Sequence, residues 1–70
     1  MKLTAKQNEV YNLIKKFIKE KGYSPTIREL CKILGLNSSA SIHRHLKILK
    51  QKGYITYEEG KSRTIKILNL

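Results

Sequence analysis

Besides its lysines, tyrosines and hydroxyl side chains, few side chains in this chain can do acid–base, nucleophilic or metal chemistry. They are His43, His45, the lone Cys31 and five glutamates, with no aspartate. The histidines stand two apart, so on a helix they diverge by about 200° and cannot chelate one metal ion. Cys31 is flanked by Leu30 and Leu34 in a short helical segment, where a small buried hydrophobe fits better than a redox centre. As the only cysteine it can form no internal disulfide. Glu58 and Glu59 are neighbours in a turn, where a solvated role is expected rather than catalysis. The chain has no cysteine–histidine metal spacing and no phosphate-cradling glycine loop. These absences point away from an enzyme, a metal site, a cofactor or a small-molecule substrate.

The chemistry that remains is recognition by polar and basic groups, concentrated between Ser38 and Gln51. At about 100° per residue, Ile42, His45, Leu46 and Leu49 share one helical face, and Ala40, His43, Arg44, Lys47 and Gln51 share the other. The first set is a core stripe. The second offers small side chains early, donors in the middle and positive charge further along. Such a face suits a helix entering a DNA major groove, although any amphipathic helix also needs a polar outer face. His43 fits a base or a phosphate, whereas His45 fits the edge of the core with its polar end satisfied. Arg44 fits guanine, through a bidentate contact, and a phosphate equally well. Ser38 or Ser39 must cap the helix, and a helix N-terminus is itself compatible with a phosphate.

That helix needs a frame, and the sequence supplies one. Thr4-Ala5-Lys6-Gln7 and Thr26-Ile27-Arg28-Glu29 both read as capping boxes. Val10, Leu13, Ile14, Phe17 and Ile18 recur at helical spacing as a buried stripe, opposite Asn8, Asn12, Lys15 and Lys19. Gly22-Tyr23-Ser24-Pro25 is a loop, and Gly35 ends the second helix. Helices are expected at about 4–21, 27–34 and 39–52. The tight link between the second and third makes them cross steeply, as in a helix-turn-helix.

After Gly53 the period becomes alternating, with strands expected at about 54–57 and 63–67 around a turn at 58–62. An isolated hairpin is marginal in water, so Ile55, Ile65 and Ile67 should face the helices. Ile48 falls off its core stripe and fits either packing under the hairpin or an exposed apolar contact. The expected fold is mainly α with a small β-hairpin, a three-helix winged helix-turn-helix forming a single domain over 1–70.

Seventy residues hold one small core and hardly any enclosed cavity. The net charge is +10, from fifteen lysines and arginines against five glutamates. Residues 1–35 carry eight basic and three acidic side chains, and residues 36–70 carry seven and two. The domain is therefore basic throughout, and a polyanion is the expected partner. No run approaches the roughly 20 apolar residues of a membrane span, and no signal-peptide core opens the chain, so a cytoplasmic location without membrane attachment is expected.

The ordered set of residues resembles the LexA DNA-binding domain family. The resemblance runs through Leu3-Thr4-Ala5-Lys6-Gln7 with Val10, Gly22-Tyr23-Ser24-Pro25-Thr26, Arg28-Glu29-Leu30 and Leu34-Gly35-Leu36-Asn37-Ser38-Ser39. It continues in Ile42-His43-Arg44-His45-Leu46, Lys52-Gly53-Tyr54-Ile55 and Arg63-Thr64-Ile65. It covers essentially the whole chain, and Ser38-Ser39 with the His43-x-His45 pattern looks most like Gram-positive members.

The resemblance implies a repressor domain of the SOS response that binds double-stranded DNA at a palindromic operator, as a homodimer on the DNA, in a bacterial or phage setting at the nucleoid. Carried over by position, Ser38, Ala40, Ser41, His43 and Arg44 would meet bases and nearby phosphates. Ser39 and Lys47 lie on the same DNA-facing stretch, and Lys61 and Arg63 of the wing would approach the backbone. Ser24 departs from a loop that often carries two prolines, and Ala40 and Ser41 are small. Glu58 and Glu59 would repel phosphate if they pointed at it. The family's linker and self-cleaving dimerisation domain are not in these residues, which fits a fragment of a longer repressor or a stand-alone relative. Two other functions suit the same features: a winged-helix protein-interaction module using Ile48, Tyr23 and the hairpin edge, or a non-specific basic nucleic-acid-binding domain.

Overall fold

The computed structural model describes residues 3–68, and the outermost residues of the expected 1–70 domain lie outside them. Helix α1 spans Ala5–Lys21, α2 spans Ile27–Leu34 and α3 spans Ser39–Gln51. Strands β1 (Ile55–Thr56) and β2 (Lys66–Ile67) follow and pair antiparallel, Ile55 opposite Ile67 and Thr56 opposite Lys66. This is the winged helix-turn-helix expected from the sequence.

Local chemistry sets each helix start. Thr4 accepts from the Gln7 amide at 3.2 Å while Gln7 Oε1 accepts from the Thr4 amide at 3.0 Å. Thr26 and Glu29 repeat the exchange at 3.0 and 2.9 Å, so α2 begins on a charged capping box. Helix α2 ends at Gly35, whose φ of +68° is left-handed and turns the chain within three residues of the next cap. The Leu36 amide then donates to Cys31 O at 2.9 Å, closing the tight turn between the two helices.

The core joins all the elements. Val10, Tyr11, Ile14, Leu30, Ile42, Leu46, Leu49, Ile55 and Ile65 form one buried cluster. Helix α3 touches α2, α1 and β1, so it is held on one side by apolar contact and has the other side free. The expected stripe of α1 is rotated slightly. Tyr11 is buried and Leu13 only half-buried, because Tyr11 packs edge-to-face on Tyr54 with ring centroids 5.2 Å apart. Gln7 is buried too, and its carbonyl oxygen accepts from Lys52 Nζ at 3.0 Å, tying α1 to the end of α3.

The strands are shorter than the alternation suggested. Each contributes two residues to the ladder, against about four and five expected. The chain leaves the strand path at Arg63, which has φ of +56°, and the Ile65 amide donates to Ser24 Oγ at 3.1 Å instead of to β1. Around the turn, Thr64 Oγ1 accepts from the Glu58 amide at 2.9 Å, and beyond the ladder the Leu68 amide donates to Tyr54 O at 2.9 Å. Ile55 and Ile65 face the helices, fully buried and nearly so, while Ile67 is half-buried against the same cluster. Ile48 is half-buried and outside the core cluster among the described residues.

Candidate nucleic-acid interface

Ser38 caps α3 from an extended backbone, and its Oγ accepts from the Ala40 amide at 3.2 Å. Ser38, Ser39, Ala40 and Ser41 are all exposed, so the first turn of α3 is a bare, small-residue surface. His43, Arg44 and Lys47 follow on the same exposed face, with Gln51 at its end. Opposite them Ile42, Leu46 and Leu49 are buried, as the amphipathic pattern requires. Of the residues selected from the sequence, Ala40, His43, Arg44 and Lys47 share the exposed face of α3, and Ser38, Ser39 and Ser41 are exposed around its first turn.

The neighbouring surface adds to this face. A groove of about 320 Å³ lies between α3, the start of α2 and the hairpin turn. Arg28, His43 and Lys61 line it, with Leu46 and Ile65 at its base. Lys61 is exposed in the turn, its amide donating to Glu58 O at 3.3 Å. Lys61 therefore stands on the wing turn and lines the same groove as His43 of α3.

Arg63 is placed differently. Its guanidinium makes a bidentate pair with Glu29, Nη1 to Oε1 at 3.1 Å and Nη2 to Oε2 at 3.2 Å. Nη1 also donates to Ser24 O at 2.9 Å, and the guanidinium carbon lies 4.7 Å from the Tyr23 ring centroid. A carboxylate, a carbonyl and an aromatic ring of the domain thus hold this arginine, whose side chain is 42% exposed. The same contacts engage Tyr23, which also packs edge-to-face on Phe17 at 5.8 Å. The Glu29 carboxyl sits below its ordinary range, because the Thr26 amide and then the Arg63 guanidinium favour its charged form. The Tyr57 hydroxyl shifts upward, through burial and then the nearby charge of Glu59.

Two other cations are held by groups of the domain. Lys50 Nζ donates to Tyr57 O at 3.1 Å and lies 4.6 Å from the Tyr57 ring centroid. Lys6 pairs with Glu9 at 3.1 Å, one turn from the start of α1. The ion pairs found among the described residues leave Arg44, Lys47 and Lys61 without an acidic partner. Glu58 and Glu59 are exposed on the wing, and Glu58 borders the groove.

Two sequence expectations need correction. His45 is half-buried at the core edge, but its Nδ1 is enclosed with no hydrogen-bond partner, so its polar end is not satisfied. Cys31 is half-buried rather than enclosed, with Sγ 3.8 Å from Ser38 O at the turn between α2 and α3. The sequence reading also missed Ser24 and Glu29, which hold Arg63. Glu29 carried a local signal as a capping residue. Nothing local pointed from it to a partner thirty-four residues away.

Comparison with known proteins agrees with this geometry. Residues 1–64 match the family model described as the LexA DNA binding domain. A LexA repressor from Clostridium botulinum (strain Hall) is 55% identical over 64 residues, covering 91% of this chain and 32% of that protein. One from Caldicellulosiruptor saccharolyticus is 49% identical over 67 residues, covering 96% of this chain and 33% of that protein. One from Clostridium novyi is 52% identical over 63 residues, covering 90% and 31%. The chain thus spans about a third of the length of these relatives.

Proposed function

Because the chain belongs to the LexA DNA-binding domain family, we propose that it binds a palindromic operator as a pair of domains and represses transcription by covering the promoter. The observation that carries this reading is the outer face of α3. Small side chains lie at its N-terminal turn and unpaired cations along its length, on a helix fixed by its opposite side. Small residues let the helix approach base edges closely, and His43 and Arg44 supply donors one turn further in. Lys47 on α3, with Lys61 and Arg28 beside the groove, gives salt-sensitive attraction to phosphates. Repression in this reading takes place in the bacterial cytoplasm, at the nucleoid, as one limb of the SOS response.

Two copies on a palindrome follow from the size of the reading face. One helix end reads a few base pairs, and a second copy across a two-fold axis doubles the free energy of recognition. Tyr23, one residue of the protein-interaction alternative, touches Arg63 and Phe17 within the domain and is still 49% exposed.

The test is fluorescence anisotropy of a labelled duplex carrying a Gram-positive SOS-box palindrome against a scrambled duplex, over a salt series. Preference for the palindrome that persists as salt rises is the expected result. Equal binding to both, lost together with salt, would leave only a basic domain with general affinity for DNA.

A further inference from the structure

The wing touches the rest of the domain at a cluster of polar contacts that no helix needs for its own stability. Arg63 lies at the wing's return, two residues beyond Lys61, and its left-handed backbone turns the chain toward α2. Its guanidinium grips both carboxylate oxygens of Glu29 and the Ser24 carbonyl. Buried Ser24 completes the tie from the other side: its Oγ accepts from the Ile65 amide at 3.1 Å and donates to Pro25 O at 3.0 Å. Four contacts therefore join residues 63–65 to the loop and first turn that begin α2. The ladder itself is only two residues a side, too short to fix the turn alone.

These ties set the width of the groove between the wing and the helices. Arg28, next to Glu29, and Lys61, two residues from Arg63, both line that groove. We propose that Ser24, Glu29 and Arg63 form a latch of positioning residues that holds Lys61 at a fixed distance from the outer face of α3, so that wing and helix engage one DNA backbone together. The proposal rests on the DNA-binding reading above. It assigns Arg63 a role opposite to a direct phosphate contact: its charge is spent inside the domain so that the charge of Lys61 is placed outside it.

The latch and simple electrostatics predict opposite signs for one substitution. Glu29→Gln keeps the capping box, since glutamine also accepts from the Thr26 amide, yet it adds one unit of positive charge. If charge alone governs binding, the variant binds every duplex more tightly. If the latch positions the wing, it binds the palindromic duplex more weakly, by roughly three- to tenfold per half-site, the worth of one charged contact. The scrambled duplex, which makes no fixed wing contact, is held as well or better.

The experiment measures anisotropy of the SOS-box and scrambled duplexes with wild type, Glu29→Gln, Lys61→Ala and the double variant, below each melting point. Expected is a loss on the palindrome for each single variant, a salt slope reduced by about 0.9 per half-site, and no further loss in the double variant. Palindrome binding by Glu29→Gln that equals or exceeds wild type overturns the latch. So does a Lys61→Ala loss that is undiminished in the Glu29→Gln background. Failure of wild type to prefer the palindrome removes the DNA-binding reading itself, and shows before any variant is compared. Ser24→Ala supplies a charge-neutral check. The Ile65 amide should exchange with solvent about tenfold faster while the amides of Val10 and Ile14 stay protected, and equal exchange at Ile65 also overturns the proposal.

Discussion

Replacing Arg44 by alanine separates base reading from charge attraction. Arg44 is exposed on the outer face of α3 and has no acidic partner among the described residues, so its removal leaves the fold intact. Exposed substitutions of this kind change stability by only about ±0.5 kcal/mol. On DNA the effect is larger. A bidentate arginine–guanine contact is worth about 1–3 kcal/mol, a factor of roughly 5 to 150 per half-site. Two half-sites acting independently bring the loss to about 2–6 kcal/mol on a palindrome. The assay is anisotropy on operator and scrambled duplexes across a salt series. A base contact gives a loss confined to the operator with an unchanged salt slope. A phosphate contact gives equal losses on both duplexes and a slope smaller by about 0.9. Unaltered operator affinity would refute the assignment of this face to DNA. A fall of many degrees in melting temperature would refute the placement of Arg44 outside the packed structure.

Leu46→Ala removes a buried side chain where α3 meets the cluster, at a cost of about 2–5 kcal/mol. A 70-residue domain has only about 4–10 kcal/mol in all, so thermal unfolding should shift by tens of degrees or the chain should fail to fold. Gly35→Ala meets no atom within 4 Å, so its cost is the left-handed backbone alone, about 1–2 kcal/mol in urea titration. Glu29 makes stability depend on pH with a definite sign. Its folded pKa is depressed, so its contribution is present above the ordinary glutamate range and fades as pH falls through the lowered value. Glu29→Gln should flatten that acid limb, read as urea midpoints between about pH 2 and 6, and an unchanged limb would exclude the Arg63 and Thr26 contacts as its cause.

Repeating local signals made the helical part legible. Capping boxes at Thr4 and Thr26 set two helix starts within a residue, and the spacing of Ile42, Leu46 and Leu49 placed the outer face of α3 correctly. The wing was less legible because its geometry depends on contacts distant in sequence. Alternation from 63 to 67 reads as a strand, but the Ile65 amide is taken by Ser24, forty-one residues earlier. Arg63 reads as a surface cation for the same reason. Its type suits phosphate, and only the fold brings Glu29 and Tyr23 beside it. His45 shows a different limit: periodicity gave its face but not the absence of a partner for Nδ1.

A count of fifteen lysines and arginines overstates how many can meet a polyanion, and their distribution explains why. Glu29 neutralises Arg63 and Glu9 neutralises Lys6. Lys50 and Lys52 donate to Tyr57 O and Gln7 Oε1. Arg63, Lys50 and Lys52 thereby brace the joints between the helices and the wing, where a small core leaves little apolar area to do so. Facing outward near α3 are Arg28 and Lys61, which line the groove, and Arg44 and Lys47 on the exposed face of the helix, so that they stand on three different elements. Because they sit on separate elements, their combined effect depends on how those elements are held together and not on their number. Glu58 on the wing sharpens this dependence, since it borders the same groove as Lys61 and repels a phosphate brought close to it. In a domain of this size the same charged residues therefore decide both how the fold is held and which surfaces it presents.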